Sequence, residues 1–197
     1  METPFNTTQL NSIIKTRRTI LPPLYEKGKK VTDEIIWQVL ENANYAPNHK
    51  RTEPWRFTVF TGEGLQTFAD LQSDIYSKYA GEKFNENKLK KMKDFPLMAS
   101  HIIAIGMKRH DGVVREIEEI EAVACAVQNM FLTTTAYGLA SYWSTGGITY
   151  FEEAKFHFGL GPDDKLLGFF YIGHLAKPFG EGYKRMPVQD KVTWIEN

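Results

Sequence analysis

A run of seven residues, HIIAIGM at His101–Met107, constrains the fold of this chain more than any other feature. A strand with one face in water alternates apolar and polar residues, whereas a strand covered on both faces stays apolar along its length. The run therefore predicts a strand in a sheet that is covered on both sides. The rest of the chain must supply the elements that cover the two faces.

The remaining sequence contains helical patterns before and after this strand. Leu10, Ile13 and Ile14 fall at helical spacing, so they predict a first helix with one apolar stripe. Thr32 is a favourable N-cap for a second helix, which Pro47 ends because the residue before a proline avoids helical backbone angles. The predicted helices span Thr7–Thr16, about 32–46, two segments between 62 and 94 that break at Gly81, 115–137 and 151–158.

Three further strands complete the predicted sheet. Trp55–Thr61 alternates and is rich in β-branched and aromatic residues, and 139–144 and 165–173 are also predicted strands. Helices and strands follow no regular βαβ rhythm, and no glycine-rich turn follows the first strand, which argues against a doubly wound dinucleotide-binding fold. We expect one α+β domain over residues 1–197, with a mixed sheet packed between helices.

The charge balance and the cysteine content restrict the class of protein. Lys plus Arg and Asp plus Glu number 24 each, so the chain has no general attraction for nucleic acid. The first 18 residues lack the apolar core of a secretory signal, and the weakly charged stretch 122–143 carries too many polar residues for a membrane span. The single cysteine, Cys125, is interpreted as a small buried side chain in a reducing, cytoplasmic location.

Patterns for metal binding or covalent catalysis are weak. The five histidines are scattered, and none pairs with another ligand at helical spacing, so no metal site is predicted. No serine occupies a nucleophile elbow, and Cys125 lies in the middle of an apolar helix. Catalysis by a protein side chain therefore has little support.

Two basic clusters could bind a phosphate. Arg17 and Arg18, followed by Thr19, end the first helix, and a planar guanidinium group suits phosphate oxygens. Lys184 and Arg185 form a second basic pair in the tail and could close over the same phosphate. Each cluster also has a simpler explanation, since basic residues stabilise a helix C-terminus and charges prefer solvent.

Two further segments have the composition of ligand-binding loops. Residues 46–57 (APNHKRTEPWRF) are polar, rich in side-chain donors and bracketed by Pro47 and Pro54. Residues 137–147 (YGLASYWSTGG) end a predicted strand in hydroxyl side chains and two glycines, which let a flat ligand approach the backbone closely. A simple connector and a glycine turn at a strand end are the respective alternatives.

Taken in order, these segments resemble the nitroreductase superfamily over nearly the whole chain. The matching motifs are Arg17-Arg18-Thr19-Ile20, the Ala-Pro-Asn loop that ends in Pro-Trp-Arg-Phe at Phe57, Tyr-Gly-Leu at the end of the long helix with Trp143 to Gly147 after it, and LGFFYIG at 167–173. The Asn48-His49-Lys50 loop and the short chain look most like the small bacterial subgroup of minimal nitroreductases.

The resemblance implies an oxidoreductase that binds FMN noncovalently. In such an enzyme NAD(P)H reduces the flavin, and a nitro compound, a quinone or a related acceptor reoxidises it in a ping-pong mechanism. The resemblance also implies a mostly antiparallel sheet in an intertwined homodimer. By motif position, the cofactor-binding residues are Arg17, Arg18, Thr19, His49, Glu53, Trp143, Ser144, Thr145, Gly146 and Lys184 or Arg185. Relatives often carry Gln where this chain has Glu53.

The long helix offers separate support for a dimer. Residues 122–135 are apolar or small nearly all round, and a helix that is apolar on every face must be covered on every face. The chain's own sheet could provide that cover, or a partner subunit's matching helix could, as the resemblance favours. Two other classes stay open: a non-catalytic flavin-binding or protein-interaction module, and a same-fold flavoenzyme for dehalogenation or dehydrogenation.

Overall fold

Four strands form one sheet through the middle of the described chain, with helices on both of its faces. The structure is a computed structural model that describes residues 4–178, 180, 182 and 184–196. The helices are α1 (Thr7–Thr16), α2 (Asp33–Asn44), α3 (Gly64–Tyr79), α4 (Glu86–Asp94), α5 (Glu116–Ala136) and α6 (Glu152–Lys155). The strands are β1 (Trp55–Thr61), β2 (His101–Met107), β3 (Leu139–Ser144) and β4 (Lys165–His174). Their order across the sheet is β1-β2-β4-β3.

The strand β2 is buried at all seven positions, as its composition predicts. Successive side chains of a strand point to opposite faces of the sheet. Ile102 and Ala104 accordingly pack into one apolar cluster with residues of α3, α4 and α6. Ile103 and Ile105 pack into a second cluster with residues of α2 and α5. The sheet is therefore covered on both sides, which confirms the α+β prediction.

The observed element bounds lie close to those predicted, and the sheet differs in one respect. The patterns alone predict a mixed sheet and the resemblance a mostly antiparallel one, and every pairing between the described strands is antiparallel, as the resemblance implies. The reason is that β4 lies between β2 and β3, so these two strands, which run in the same direction, never pair. The short predicted helix over 151–158 is also divided into α6 and a 3-10 turn at Phe156–Phe158.

One face of α5 departs from the prediction of complete burial. Val123, Ala126 and Val127 are buried, but Cys125 and Gln128 are exposed. The interpretation of Cys125 as a buried side chain is therefore wrong for the single chain, because the described elements leave this face of the helix in solvent. Ile117, near the start of α5, is also exposed. Within the described residues, no helix is both long and apolar enough to cross a bilayer.

Candidate functional site

Three arginines meet at the C-terminal end of α1. They surround a cavity of about 600 Å³, which we call the arginine cavity. Its lining residues are Ile14, Lys15, Arg17, Arg18, Gln128 and Arg185. The two basic clusters from opposite ends of the sequence therefore face one space. Such a set of guanidinium groups suits an anion, because each planar donor fork matches phosphate oxygens.

The two arginines at the end of α1 are held by contacts within the chain. The Arg17 guanidinium carbon lies 5.0 Å from the centre of the Phe131 ring, and Phe131 packs edge-on against Phe170 of β4 with ring centres 4.8 Å apart. Arg18 Nη1 donates to the backbone carbonyls of Lys15 (2.6 Å) and Arg17 (2.9 Å). These contacts restrict the guanidinium groups before any ligand binds, which lowers the ordering cost of binding.

The chain that leaves α1 is fixed to the edge of the sheet. The Ile20 N–H donates to the Ser141 carbonyl of β3 over 2.9 Å, and the Ile20 side chain is buried. Thr19 comes directly before this contact and is exposed, but it is not among the described lining residues of the arginine cavity. The position of the predicted Arg17-Arg18-Thr19 motif is thus set by both α5 and β3.

The tail contributes Arg185 to the cavity. Lys184 is exposed and lies outside the described set of lining residues. The tail passes beside Arg18 at Gly182, where an added Cβ would collide with the Arg18 side chain. The sequence leaves open which basic residue of the pair would meet a phosphate, and the structure brings Arg185 to the arginine cavity.

The proline-bracketed loop has an unusual backbone. Lys50, Arg51 and Glu53 have positive φ angles of 53°, 57° and 43°, which residues other than glycine seldom adopt. Such angles cost about 1–3 kcal/mol each and persist only where surrounding contacts impose them. Here the Glu53 N–H donates to Asn48 Oδ1 (3.1 Å), and Lys50 Nζ donates to the Val113 carbonyl (2.8 Å). A plain connector would not need this strain, so the backbone favours a binding loop.

His49 lies away from the arginine cavity. Its Nδ1 is 3.2 Å from Glu118 Oε1, and it lines another cavity with Arg109 and Arg115 at the start of α5. Hydrogen bonds from the Arg115 N–H and from His49 lower the pKa of Glu118. The Glu53 side chain is exposed and does not contribute to the described lining of the arginine cavity. One chain therefore does not bring His49 and Glu53 to the arginines.

A β-bulge shapes the glycine-terminated end of β3. The register between β2 and β4 shifts next to Gly168, whose φ is 120°. A Cβ on Gly168 would collide with the Ser144 carbonyl and lie 2.9 Å from the Trp143 indole nitrogen. Trp143 Nε1 donates to the Leu167 carbonyl over 3.0 Å. The indole N–H is therefore used inside the chain, and only the ring of Trp143 remains for a ligand.

Ser144 and Gly146 line a cavity of about 210 Å³ that also contacts α4. Thr145, between them, is exposed, so this stretch presents accessible backbone and hydroxyl groups. Lys88 and Lys91 of α4 form part of the same cavity wall. These two lysines were not predicted as site residues, although the lysine-rich composition of α4 is visible in the sequence.

The predicted segments thus form separate surfaces of one chain. The 46–54 loop precedes β1, and 145–147 follows β3, at the same end of the sheet but at its opposite edges. The sequence analysis also did not predict Gln128, which lines the arginine cavity, or Phe131, which packs against Arg17. Both lie within the apolar pattern of α5, which by itself indicates only a packed helix.

Known proteins identify the family. The model described as Nitroreductase family matches residues 14–174, and the chain belongs to this family. "Putative NAD(P)H nitroreductase YfhC" of Bacillus subtilis (strain 168) is 28% identical over 189 residues, which cover 93% of each chain. "Putative NAD(P)H nitroreductase YdjA" of Escherichia coli (strain K12) is 31% identical over 145 residues, which cover 72% of this chain and 76% of the relative.

Solved structures share the fold. The crystal structure of a nitroreductase-like family protein from Bacillus cereus superposes with a TM-score of 0.83 at 26% identity, over 100% of both chains. A protein from Desulfovibrio desulfuricans, described as a "putative nitroreductase in complex with fmn", superposes with a TM-score of 0.69 at 23% identity, over 98% of this chain and 96% of the other. The resemblance carried by the motifs is confirmed for both family and fold.

Proposed function

We propose that this protein is an FMN-dependent oxidoreductase that uses NAD(P)H to reduce nitro compounds, quinones or related acceptors by a ping-pong mechanism. The arginine cavity carries the proposal, because Arg17, Arg18 and Arg185 face one space there. Membership of the nitroreductase family and the names of two curated relatives support the same function. The proposal treats residues 1–197 as one FMN-binding domain.

The donor set of the arginine cavity fits a phosphate monoester. Such a group carries about 1.5–2 negative charges at neutral pH, which guanidinium groups can match with charge-assisted hydrogen bonds. We assign the adjoining ribityl chain to Thr19, which is exposed next to Arg18. When bound, FMN supplies the transfer of two electrons from NAD(P)H to the acceptor, and the protein supplies binding, orientation and electrostatics.

The flavin ring is assigned to the end of β3 and to the strained loop. The two lie at opposite edges of a four-stranded sheet, roughly 14 Å apart at the usual strand spacing. In the proposed dimer, we assign the contacts of this loop to the ring bound by the other subunit. The assigned ring contacts are Trp143, Ser144, Thr145 and Gly146 of one subunit, with His49 and Glu53 from the loop of the other.

A homodimer is part of the proposal. The exposed face of α5 includes Cys125, and the tail leaves Trp194 and Ile195 at 78% and 84% exposure. Contiguous patches of exposed apolar side chains mark surfaces that bind another protein, and the proposal assigns these residues to such a patch. Gln128 is exposed on α5 and lines the arginine cavity as well. A second subunit on this face of the helix would therefore border the proposed phosphate site.

The test is the flavin content and reactivity of the purified protein. We expect a yellow protein, or one that takes up added FMN, whose absorption is bleached anaerobically by NADH or NADPH and restored by a quinone or a nitro compound. A colourless protein that does not take up FMN would contradict the proposal and favour an interaction module. Uptake of FMN without bleaching would indicate a passive flavin-binding protein. Bleaching without reoxidation by either acceptor class would indicate a flavoenzyme of different chemistry.

A further inference from the structure

A second groove begins at the end of β3 and continues past α4. The cavity lined by Ser144 and Gly146 has a neighbour of about 530 Å³, and Lys88 and Gly147 line both, so the two spaces adjoin. We call this pair of cavities the α4 groove, with an inner end at Ser144 and an outer end beyond Lys88. Its described lining residues are distinct from those of the arginine cavity.

Aromatic rings form the walls of the outer end. Tyr76, Tyr79, Tyr150 and Phe151 all line it. Tyr76 and Phe151 are stacked, with ring centres 6.4 Å apart and 12° between the ring planes. Tyr150 is 77% exposed, so its ring is accessible to a ligand in the groove. Accessible tyrosine rings of this kind stack on flat heterocycles such as nucleobases.

Lysines are distributed along the whole α4 groove. Lys91 lines the inner end, Lys83 the outer end, and Lys88 both. Lys88 Nζ lies 5.3 Å from the centre of the Tyr76 ring. Among the described residues these three lysines make no ion pair, and Glu82 is the one carboxylate in the described lining. The groove thus has a net positive charge, with one cation at its middle.

We propose that the α4 groove binds the phosphorylated adenosine half of a nicotinamide dinucleotide and favours NADPH over NADH. The inference rests on the proposed function, since the inner end must then hold the nicotinamide near the flavin. A dinucleotide consists of two flat rings joined by an anionic linker. The groove repeats that order, with Ser144 at the inner end, Lys88 at the junction and tyrosines at the outer end. Lysine binds phosphate as a point charge, and Lys83 at the outer end meets the 2′-phosphate that NADH lacks.

The direct test uses adenosine 2′,5′-bisphosphate, which carries the adenine and the 2′-phosphate but no redox group. Titration calorimetry on the full chain, with and without FMN, measures its Kd. We expect Lys88→Gln and Lys83→Gln each to raise this Kd roughly three- to tenfold. The matched control is Lys90→Gln, which removes an exposed α4 lysine outside the described lining and should leave the Kd unchanged.

A second nucleotide and two further variants separate the contributions of the two phosphates and of the stacking surface. For 5′-AMP, which lacks the 2′-phosphate, Lys88→Gln should weaken binding while Lys83→Gln should not. Tyr150→Ala should weaken binding of both nucleotides, because the stacking surface is lost. Lys88→Arg should restore most of the affinity, and an unchanged circular dichroism spectrum shows that each variant is folded.

Equal Kd values for the wild type, Lys88→Gln and Lys90→Gln would overturn the inference, as would no binding of the bisphosphate by the wild type. A changed KM for 4-nitrobenzoate with unchanged nucleotide binding would assign the groove to an anionic acceptor instead, and would also overturn it. Bleaching of the flavin by NADPH tests the proposed function alone. Failure of bleaching with lysine-dependent nucleotide binding would reject that function and retain the nucleotide groove.

Discussion

The Arg17 guanidinium lies 5.0 Å from the centre of the Phe131 ring, so the end of α1 is joined to α5 beside the arginine cavity. If Arg17 binds the FMN phosphate, Arg17→Ala removes a charge-assisted hydrogen bond of roughly 1.5–3 kcal/mol. The Kd for FMN should then rise about ten- to a hundredfold, as measured by flavin fluorescence titration of the apoprotein. Lys93→Ala, on α4, controls for the loss of a positive charge. An unchanged Kd would remove Arg17 from the phosphate site.

The neighbouring residues Lys184 and Arg185 provide a matched pair. Arg185 lines the arginine cavity and Lys184 is exposed outside its described lining. We expect Arg185→Gln to weaken FMN binding by about tenfold, while Lys184→Gln changes it less than twofold. The same fluorescence titration, repeated at high salt, measures both variants. A larger effect at Lys184 would assign the phosphate contact to that side chain.

The bulge at Gly168 should be intolerant of any side chain. Gly168→Ala places a Cβ against the Ser144 carbonyl at a φ of 120°, so we expect a loss of about 3 kcal/mol or more in the free energy of unfolding. Gly62 also has a positive φ (56°), but nothing lies within 4 Å of its added Cβ. Gly62→Ala should cost only about 1–2 kcal/mol, the usual cost of a left-handed backbone for a residue with a Cβ. Urea unfolding measures both, and similar losses would show that collision at the bulge is unimportant.

Buried His101 should make stability depend on pH. Its side chain is 2% exposed, with Nδ1 2.9 Å from Ser100 Oγ and Nε2 3.3 Å from Asp33 Oδ1. Burial lowers the pKa of His101 from its usual 6.5, although the Asp33 carboxylate opposes this shift. Protonation is then easier in the unfolded chain. The contribution of His101 to the free energy of unfolding should therefore be present in full above about pH 6.5. This contribution should decrease as the pH falls below that value.

Urea unfolding from about pH 8 to about pH 5 measures this dependence. His101→Gln should flatten the curve in that range, whereas His157→Gln, at an exposed histidine, should not. A hydrogen bond from Lys30 lowers the pKa of Asp33 from its usual 3.8. Protonation of Asp33 therefore reduces the free energy of unfolding only as the pH falls below that value, so the effects of His101 and Asp33 occupy different pH ranges. An unchanged slope in His101→Gln would show that another group controls stability near neutral pH.

The exposed face of α5 predicts how the subunits associate. If this face forms the interface of the proposed dimer, Cys125→Arg places a long charged side chain in it, and we expect the variant to be a monomer, because burying an unpaired charge is unfavourable. Analytical ultracentrifugation measures the state. The control is Glu153→Arg, which introduces the same side chain at another exposed position, on α6. A dimer that survives Cys125→Arg would place the interface elsewhere.

Much of the fold could be predicted because apolar periodicity determines which faces of the elements are buried. The all-apolar β2 is an example, since its composition requires cover on both sides, and α2 and α5 supply one of them. The bulge at Gly168 could not be predicted, because it depends on contact with Ser144 of the neighbouring strand. The exposure of Cys125 could not be predicted either, because an apolar pattern shows which residues tend to be buried but not which element or subunit buries them.

The site residues that belong to local sequence motifs could be predicted. Arg17, Arg18 and Arg185 are visible as basic pairs, and the structure places them around one cavity. Gln128 and Lys88 carry no local signal of this kind. Each becomes part of a cavity only when α5 or α4 packs beside distant segments, so their contribution depends on tertiary structure.

Gln128 has a consequence for how the protein behaves at low concentration. It lines the arginine cavity and is also exposed on the α5 face proposed to meet a second subunit. When one residue serves two equilibria, occupancy of either site changes the affinity of the other by the same factor. If both proposals hold and Gln128 couples the two sites, dilution should release FMN as the subunits separate, and added FMN should favour their association.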